Sequence, residues 1–148
     1  QAARNEPLTN TDPRSTRFWI TLEQAVEFVL SCLTDMQGGE TFVPILPAMK
    51  VTDLAEAIAP GTEHRIIGLR SGEKLHEVLV SVDEAPRTRF FGEGTQDERY
   101  VILPIDPTWP TDFASAGQPA FDGFSYTSDS TRWRLSVADM QKMLGEVT

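Results

Sequence analysis

The run Gly68-Leu69-Arg70-Ser71-Gly72-Glu73-Lys74-Leu75-His76-Glu77 sets two cations, two carboxylates and an imidazole around a glycine. An arginine at the end of an apolar segment, followed by a Gly turn, suits a phosphate or carboxylate, because guanidinium presents a planar fork of donors. The same residue types also make an ordinary charged surface turn. Arg17 is a second candidate, placed just before the triplet Phe18-Trp19-Ile20 and a helix start. Both arginines fall at the ends of elements, where α/β proteins build ligand sites. Two converging guanidiniums would hold a diphosphate. The alternative is that each pairs with a nearby carboxylate, such as Asp12 or Glu73.

Other chemistry is poorly represented. No GxGxxG or GxxxxGK[ST] phosphate loop occurs, and no GxSxG elbow. The two histidines, His64 and His76, exclude a His-rich metal site, and His76-Glu77 lacks the second histidine of HExxH. Asp83 and Glu84 are sequence neighbours whose side chains are expected to diverge into solvent. Cys32, the only cysteine, lies in an apolar helical pattern and reads as a small buried hydrophobe. No catalytic residue and no metal ligand is assigned.

The elements that must position these groups follow from periodicity. Thr21 and Gln24 form a capping-box pattern, and apolar residues at 22, 25, 26, 29, 30, 33 and 36 trace one helical face up to Gly38-Gly39. Thr41 to Val43 reads as a strand. Thr52 is expected to cap a helix over 53–59, with Leu54 and Ile58 inward. Arg65 to Leu69 reads as a strand and 74–80 as a short helix on Leu75, Val78 and Leu79. Residues 87–99 show no periodicity, Tyr100 to Leu103 reads as a strand, and the Pro- and Gly-rich stretch 104–123 as an irregular excursion. Ser136 and Asp139 mark a last helix to about Leu144, stapled by Leu135 and Met140 and stopped by Gly145. The alternation favours an α/β layered fold. Two segments are expected, 1–86 and 87–148, packed as one unit.

A length of 148 residues suits one domain with a real core, and 40% hydrophobic with 24% charged residues is ordinary for a globular chain. The net charge of −9 argues against nucleic acid as a partner. No stretch approaches the ~20 apolar residues that span a bilayer, and the polar N-terminus does not read as a signal peptide, so a soluble, cytoplasmic chain is expected. The first residue is Gln, and Ala2-Ala3-Arg4 reads as the tail of a helix begun upstream, which suggests a fragment.

Thr16-Arg17-Phe18-Trp19-Ile20-Thr21-Leu22-Glu23-Gln24-Ala25-Val26 resembles a segment of the inverting UDP-N-acetylglucosamine 4,6-dehydratases, extended short-chain dehydrogenase/reductases of pseudaminic acid and surface polysaccharide biosynthesis. The match continues through 38–44, through 49–60 and through 67–79. It is near-continuous from about 12 to 84 and patchy from 100 to 144, where Gly123 to Asp129 and Leu135-Ser136-Val137 resemble the family's tail. The resemblance implies that Arg17 and Arg70 hold the nucleotide diphosphate. It also implies that Glu73 approaches the ribose or base, with Thr16 a further candidate. Ser71 stands where the family usually has proline, and Thr131-Arg132-Trp133-Arg134 also departs from its pattern. The fold implied is the C-terminal substrate-binding part of such an enzyme, a small mixed sheet with helices and the Rossmann half missing.

That missing half carries the family's dinucleotide loop, Tyr-x-x-x-Lys pair and Asp-Lys pair. In the family, NADP oxidises the sugar at C4, water leaves across C5–C6, and hydride returns to C6 with inversion at C5. This chain is therefore expected to bind a UDP-sugar without NADP and without turnover. The intact family implies a homo-oligomer. Two alternatives remain: a stand-alone nucleotide-sugar binding or regulatory module, and a purely structural piece in which both arginines make ion pairs.

Overall fold

A computed structural model describes every residue except Gln96, Pro107, Trp109, Pro110, Thr111, Val147 and Thr148. In chain order the elements are β1 (Leu8–Asn10), β2 (Thr16–Phe18), α1 (Leu22–Asp35), β3 (Thr41–Pro44), β4 (Ala48–Lys50), α2 (Val51–Ile58) and β5 (His64–Ile66). Then follow β6 (Val78–Val80), β7 (Thr88–Phe91), β8 (Arg99–Ile102), α3 (Phe113–Ala116), β9 (Gln118–Pro119), β10 (Tyr126–Thr127) and α4 (Val137–Glu146). Ala2–Arg4 is a single 3-10 turn. These elements form two units. One comprises Gln1–Trp19, Pro47–Glu77 and Thr127–Thr148, and the other Ile20–Leu46 and Val78–Tyr126.

In the first unit β1 pairs parallel to β5, and β2 pairs antiparallel to β4 with Thr16 opposite Lys50 and Phe18 opposite Ala48. β4 runs directly into α2. The cap expected from Thr52 is absent: the helix begins at Val51, whose N–H goes to the Ser15 carbonyl at 2.9 Å, so a tertiary acceptor replaces the side-chain cap. α4 packs on α2 around Met49, Ala57 and Met140, with Trp19, Leu54, Leu135 and Val137 closing the cluster. Its start is as the sequence indicates. Ser136 Oγ accepts from Asp139 N–H at 3.2 Å, and the Asp139 carboxylate accepts from Ser136 N–H at 2.9 Å. Gly145 does not stop it; the helix continues to Glu146.

Two elements near the arginine turn differ from expectation. The strand covers His64–Ile66 rather than 65–69, because Gly68 adopts φ 81°, which extended pairing cannot accommodate. The helix expected over 74–80 does not form. Leu75 O accepts from Thr16 N–H at 3.1 Å, Glu77 N–H donates to Ser128 Oγ and Glu77 O accepts the Ser128 N–H, so the groups a helix would need are committed to distant partners. Val78–Val80 is instead a strand.

The second unit holds a four-stranded antiparallel sheet in the order β3-β8-β7-β9. β7 lies in the stretch that lacks periodicity in the sequence. Phe42 and Phe91 both meet the Phe113 ring edge-on at 5.5 and 5.3 Å between centroids. Residues 113–119 of the irregular excursion thus form a short helix and an edge strand, while Pro107 and Pro110 lie outside the described residues.

α1 belongs to this unit and carries the capping box read from the sequence: Gln24 N–H donates to Thr21 Oγ1 at 3.2 Å, and Thr21 N–H to Gln24 Oε1 at 3.0 Å. Met36 turns the chain extended before the glycines, so the helix ends ahead of Gly38. An ion pair from Asp35 to Arg99 ties its C-terminal end to β8. Its apolar face is not buried: Leu22, Val26, Val29, Leu30 and Leu33 are all at least half exposed, and only the adjoining stripe of Ala25, Phe28 and Cys32 is half-buried. A helix apolar on two adjoining sides fits between two layers.

Burial sets the expected cost of substitution. Met140→Ala, 2% exposed, should lose about 2–5 kcal/mol in urea denaturation, whereas Leu30→Glu, 58% exposed, should change stability by less than about 0.5 kcal/mol. A large loss from Leu30→Glu would show that the α1 face is covered within the chain.

Candidate functional site

Arg70 to Glu73 is a four-residue turn closed by Glu73 N–H donating to Arg70 O at 3.0 Å. Gly72, its third residue, has φ 81°, the left-handed value a type II turn demands there. Ser71 occupies the position before it, where proline is favoured but most residues are accepted. The Glu73 carboxylate folds back to accept the Arg70 N–H at 3.2 Å and the Thr11 hydroxyl at 2.7 Å.

β2 brings Arg17 to the same carboxylate. Its Nη2 stands 3.5 Å from Glu73 Oε1 and its Nε 3.4 Å from Glu77 Oε1. Nη1 donates to Thr16 O at 2.7 Å and to Leu75 O at 3.1 Å. The two carbonyl bonds anchor the guanidinium. The two carboxylate contacts are looser than the 2.7–2.9 Å typical of charge-assisted bonds. Asp12, the other partner considered for Arg17, pairs instead with Arg14 at 2.8 Å, and this holds its carboxyl down at about 2. Arg70 is exposed, and its guanidinium has no hydrogen bond or ion pair among the described residues. The Glu73 carboxylate therefore touches both the Arg17 guanidinium and the Arg70 backbone N–H.

Thr16 sits behind this front, 3% exposed. Its hydroxyl is 2.8 Å from His76 Nδ1 and 2.6 Å from Ser128 Oγ. His76 Nε2 is 3.8 Å from Asp129 Oδ2. A hydroxyl, an imidazole and a carboxylate in a row is the arrangement of a nucleophile relay. Here the hydroxyl is buried and already engaged twice, and the imidazole–carboxylate gap exceeds hydrogen-bond length, so the row braces the strand. The sequence assigns no role to Thr11 or Ser128, and Glu77 figures in it only as part of the charged run. Their signal is tertiary, since Thr11 meets Glu73 across 62 residues and Ser128 meets Thr16 across 112. Among the described residues no group of three or more His, Cys, Asp or Glu could hold a metal ion, and no helix is long and apolar enough to cross a membrane. Burial raises the Cys32 thiol pKa, which disfavours a nucleophilic thiolate.

The fold defines the class: a mixed α/β chain of short paired strands and helices. It belongs to the polysaccharide biosynthesis protein family, whose model matches residues 1–96. It is 45% identical to a UDP-N-acetylglucosamine 4,6-dehydratase (inverting) of Campylobacter jejuni subsp. jejuni serotype O:2, covering 97% of this chain and 43% of that protein. A UDP-glucose 4-epimerase of Rickettsia canadensis is 30% identical over 97% of this chain and 42% of its own. The chain thus spans less than half the length of the curated relatives it matches. Among solved structures, Pen from Bacillus thuringiensis shares the fold with a TM-score of 0.75 at 23% identity, over 99% of this chain and 42% of that one.

The Glu73 carboxyl is held below its ordinary pKa, first by the Thr11 hydroxyl, then by the Arg70 N–H, with Arg17 a smaller influence. A lowered folded pKa contributes stability above the ordinary glutamate value of about 4.3, and that contribution disappears as pH falls through the folded value. Thr11→Val should therefore move the Glu73 carboxyl, followed by NMR titration, up toward the ordinary range. An unchanged midpoint would remove the Thr11 bond as the cause.

Proposed function

We propose that this chain is the nucleotide-sugar binding part of an NADP-dependent UDP-N-acetylglucosamine 4,6-dehydratase/5-epimerase of surface polysaccharide or pseudaminic acid biosynthesis, a cytoplasmic and homo-oligomeric enzyme. Arg17 and Arg70 take the diphosphate, Glu73 the ribose or base, and Thr16 supports the strand beneath them. The observation that carries this reading is the single Glu73 carboxylate that reaches both the Arg17 guanidinium and the Arg70 turn. An incoming diphosphate exchanges with the loose carboxylate contacts of Arg17, while the two carbonyl bonds keep its guanidinium in place. The 45% identity to an inverting dehydratase supports the choice of a UDP-sugar.

NADP would supply the hydride chemistry in such an enzyme. This sequence has no Gly-rich dinucleotide loop and no Tyr-x-x-x-Lys, so its residues do not fit that cofactor. Its own contribution is to bind and orient, which lowers the entropic part of a barrier without making or breaking bonds. The internal ion pairs of Arg17 favour a second reading, in which the turn is purely structural.

Titration calorimetry of the 148-residue chain with UDP separates the two. Arg70→Ala should weaken UDP binding by about 1.5–3 kcal/mol, the value of a hydrogen bond to a charged group. An unchanged affinity, or no binding to the wild-type chain, overturns the reading. The purified chain supplied with NADP and UDP-N-acetylglucosamine is expected to give no dehydratase turnover; product formation would refute the restriction to binding.

A further inference from the structure

Ser128 is fully buried at 0% exposure and lies in the loop after β10. Its Oγ accepts the Glu77 N–H at 2.9 Å, and lies 2.6 Å from Thr16 Oγ1 and 3.0 Å from Thr16 O. Its backbone N–H donates to Glu77 O at 2.9 Å, and its own carbonyl accepts from Arg134 Nη1 at 2.8 Å. One short side chain thus joins the strand that carries Arg17 to the end of the turn that carries Glu73 and Glu77.

Each hydroxyl has one proton to donate. The Ser128 proton serves Thr16 O or Thr16 Oγ1, and either hydroxyl can donate in the 2.6 Å contact. Thr16 O also accepts from Arg17 Nη1 at 2.7 Å, so the strand that Ser128 holds is the one that anchors the guanidinium.

We propose that Ser128 is the positioning residue for Arg17. It locks β2 against the 73–77 segment, so that the Arg17 guanidinium is presented between Glu73 and Glu77 rather than swinging with the strand end. No group of Ser128 meets the ligand; it acts through Thr16 and Glu77. The inference rests on the nucleotide reading only for what Arg17 faces, a nucleoside diphosphate. Ser130 is the natural control, since among the described residues its hydroxyl in the same loop bonds within Thr127 to Ser130.

The test uses nitrogen-15 NMR and UDP calorimetry on the full 148-residue chain. The wild type should show slowly exchanging Arg17 Nη protons, the donors to Thr16 O and Leu75 O. Ser128→Ala should speed exchange of those protons and weaken UDP binding, each about tenfold, while Ser130→Ala changes neither. If Ser128→Ala does not fold, Ser128→Cys, of similar size but with a weak donor and acceptor, decides the matter: unchanged Arg17 exchange and UDP affinity in it overturn the proposal. A folded Ser128→Ala protein with unchanged Arg17 exchange and unchanged UDP affinity also overturns it, even with a lowered melting temperature. If the wild type does not bind UDP but Ser128→Ala still frees the Arg17 signal, Ser128 keeps its role and the nucleotide reading falls.

Discussion

A buried hydroxyl has to be hydrogen-bonded, and the partners that Ser128 finds are groups 51 and 112 residues away along the chain. That requirement organises the first unit. Thr16 and Glu77 have no local reason to meet, yet both their backbones are fixed by one side chain, and Thr16 in turn engages His76. The Arg17 guanidinium extends this arrangement outward, bonding Thr16 O and Leu75 O from the same two segments. Arginine suits such a place because its rigid fork can spend two donors on the scaffold and still face two carboxylates. The candidate site is thus the exposed end of a satisfied polar network, not a cluster of charges on a loop.

A different constraint governs the apolar surface. The sequence marks α1 as the most regular amphipathic helix in the chain, and the structure leaves its apolar face exposed. The core of the first unit is made by less conspicuous elements, α2 and α4, through Met49, Ala57 and Met140. Hydrophobic periodicity reports that a face suits burial; it does not say which partner performs it. The chain spans less than half of its relatives' length, so the strongest apolar signal need not point to the core of this piece.

Local signals were legible where the physics is local. The Thr21–Gln24 box and the Ser136–Asp139 cap are closed by atoms three residues apart, so both could be read from spacing. The type II geometry of Arg70 to Glu73 follows from Gly72, for the same reason. The helix read over 74–80 failed because its apolar spacing competed with backbone bonds to Thr16 and Ser128, which carry no mark in a linear sequence. β7 was invisible because its alternation is weak and its pairing with β8 is supplied by tertiary register. Of the site, Arg17 and Arg70 stand out in the sequence by their place at element ends, Glu73 and Glu77 as members of the charged run, and Thr16 through the family resemblance; Thr11 and Ser128 are given no role by either.

The opening run of charged residues shows the division clearly. By itself the sequence determined that Arg70-Ser71-Gly72-Glu73 is a turn, that the chain is acidic, and that it carries motifs of the polysaccharide biosynthesis family. The turn and the acidity rest on composition or on residues close together in the chain, and the motifs on the resemblance of ordered segments to that family. Only the tertiary structure decided that the Glu73 carboxylate would touch both Arg17 and the Arg70 turn, that Arg17 would already hold two backbone carbonyls, and that Ser128 would fasten both segments. The contacts of Arg17 with Glu73 and Leu75 and of Ser128 with Thr16 and Glu77 join residues 51 to 112 positions apart. Ordering such distant groups is opposed by chain entropy, and the gain that offsets it comes from satisfying buried polar atoms together, which no single segment can do alone.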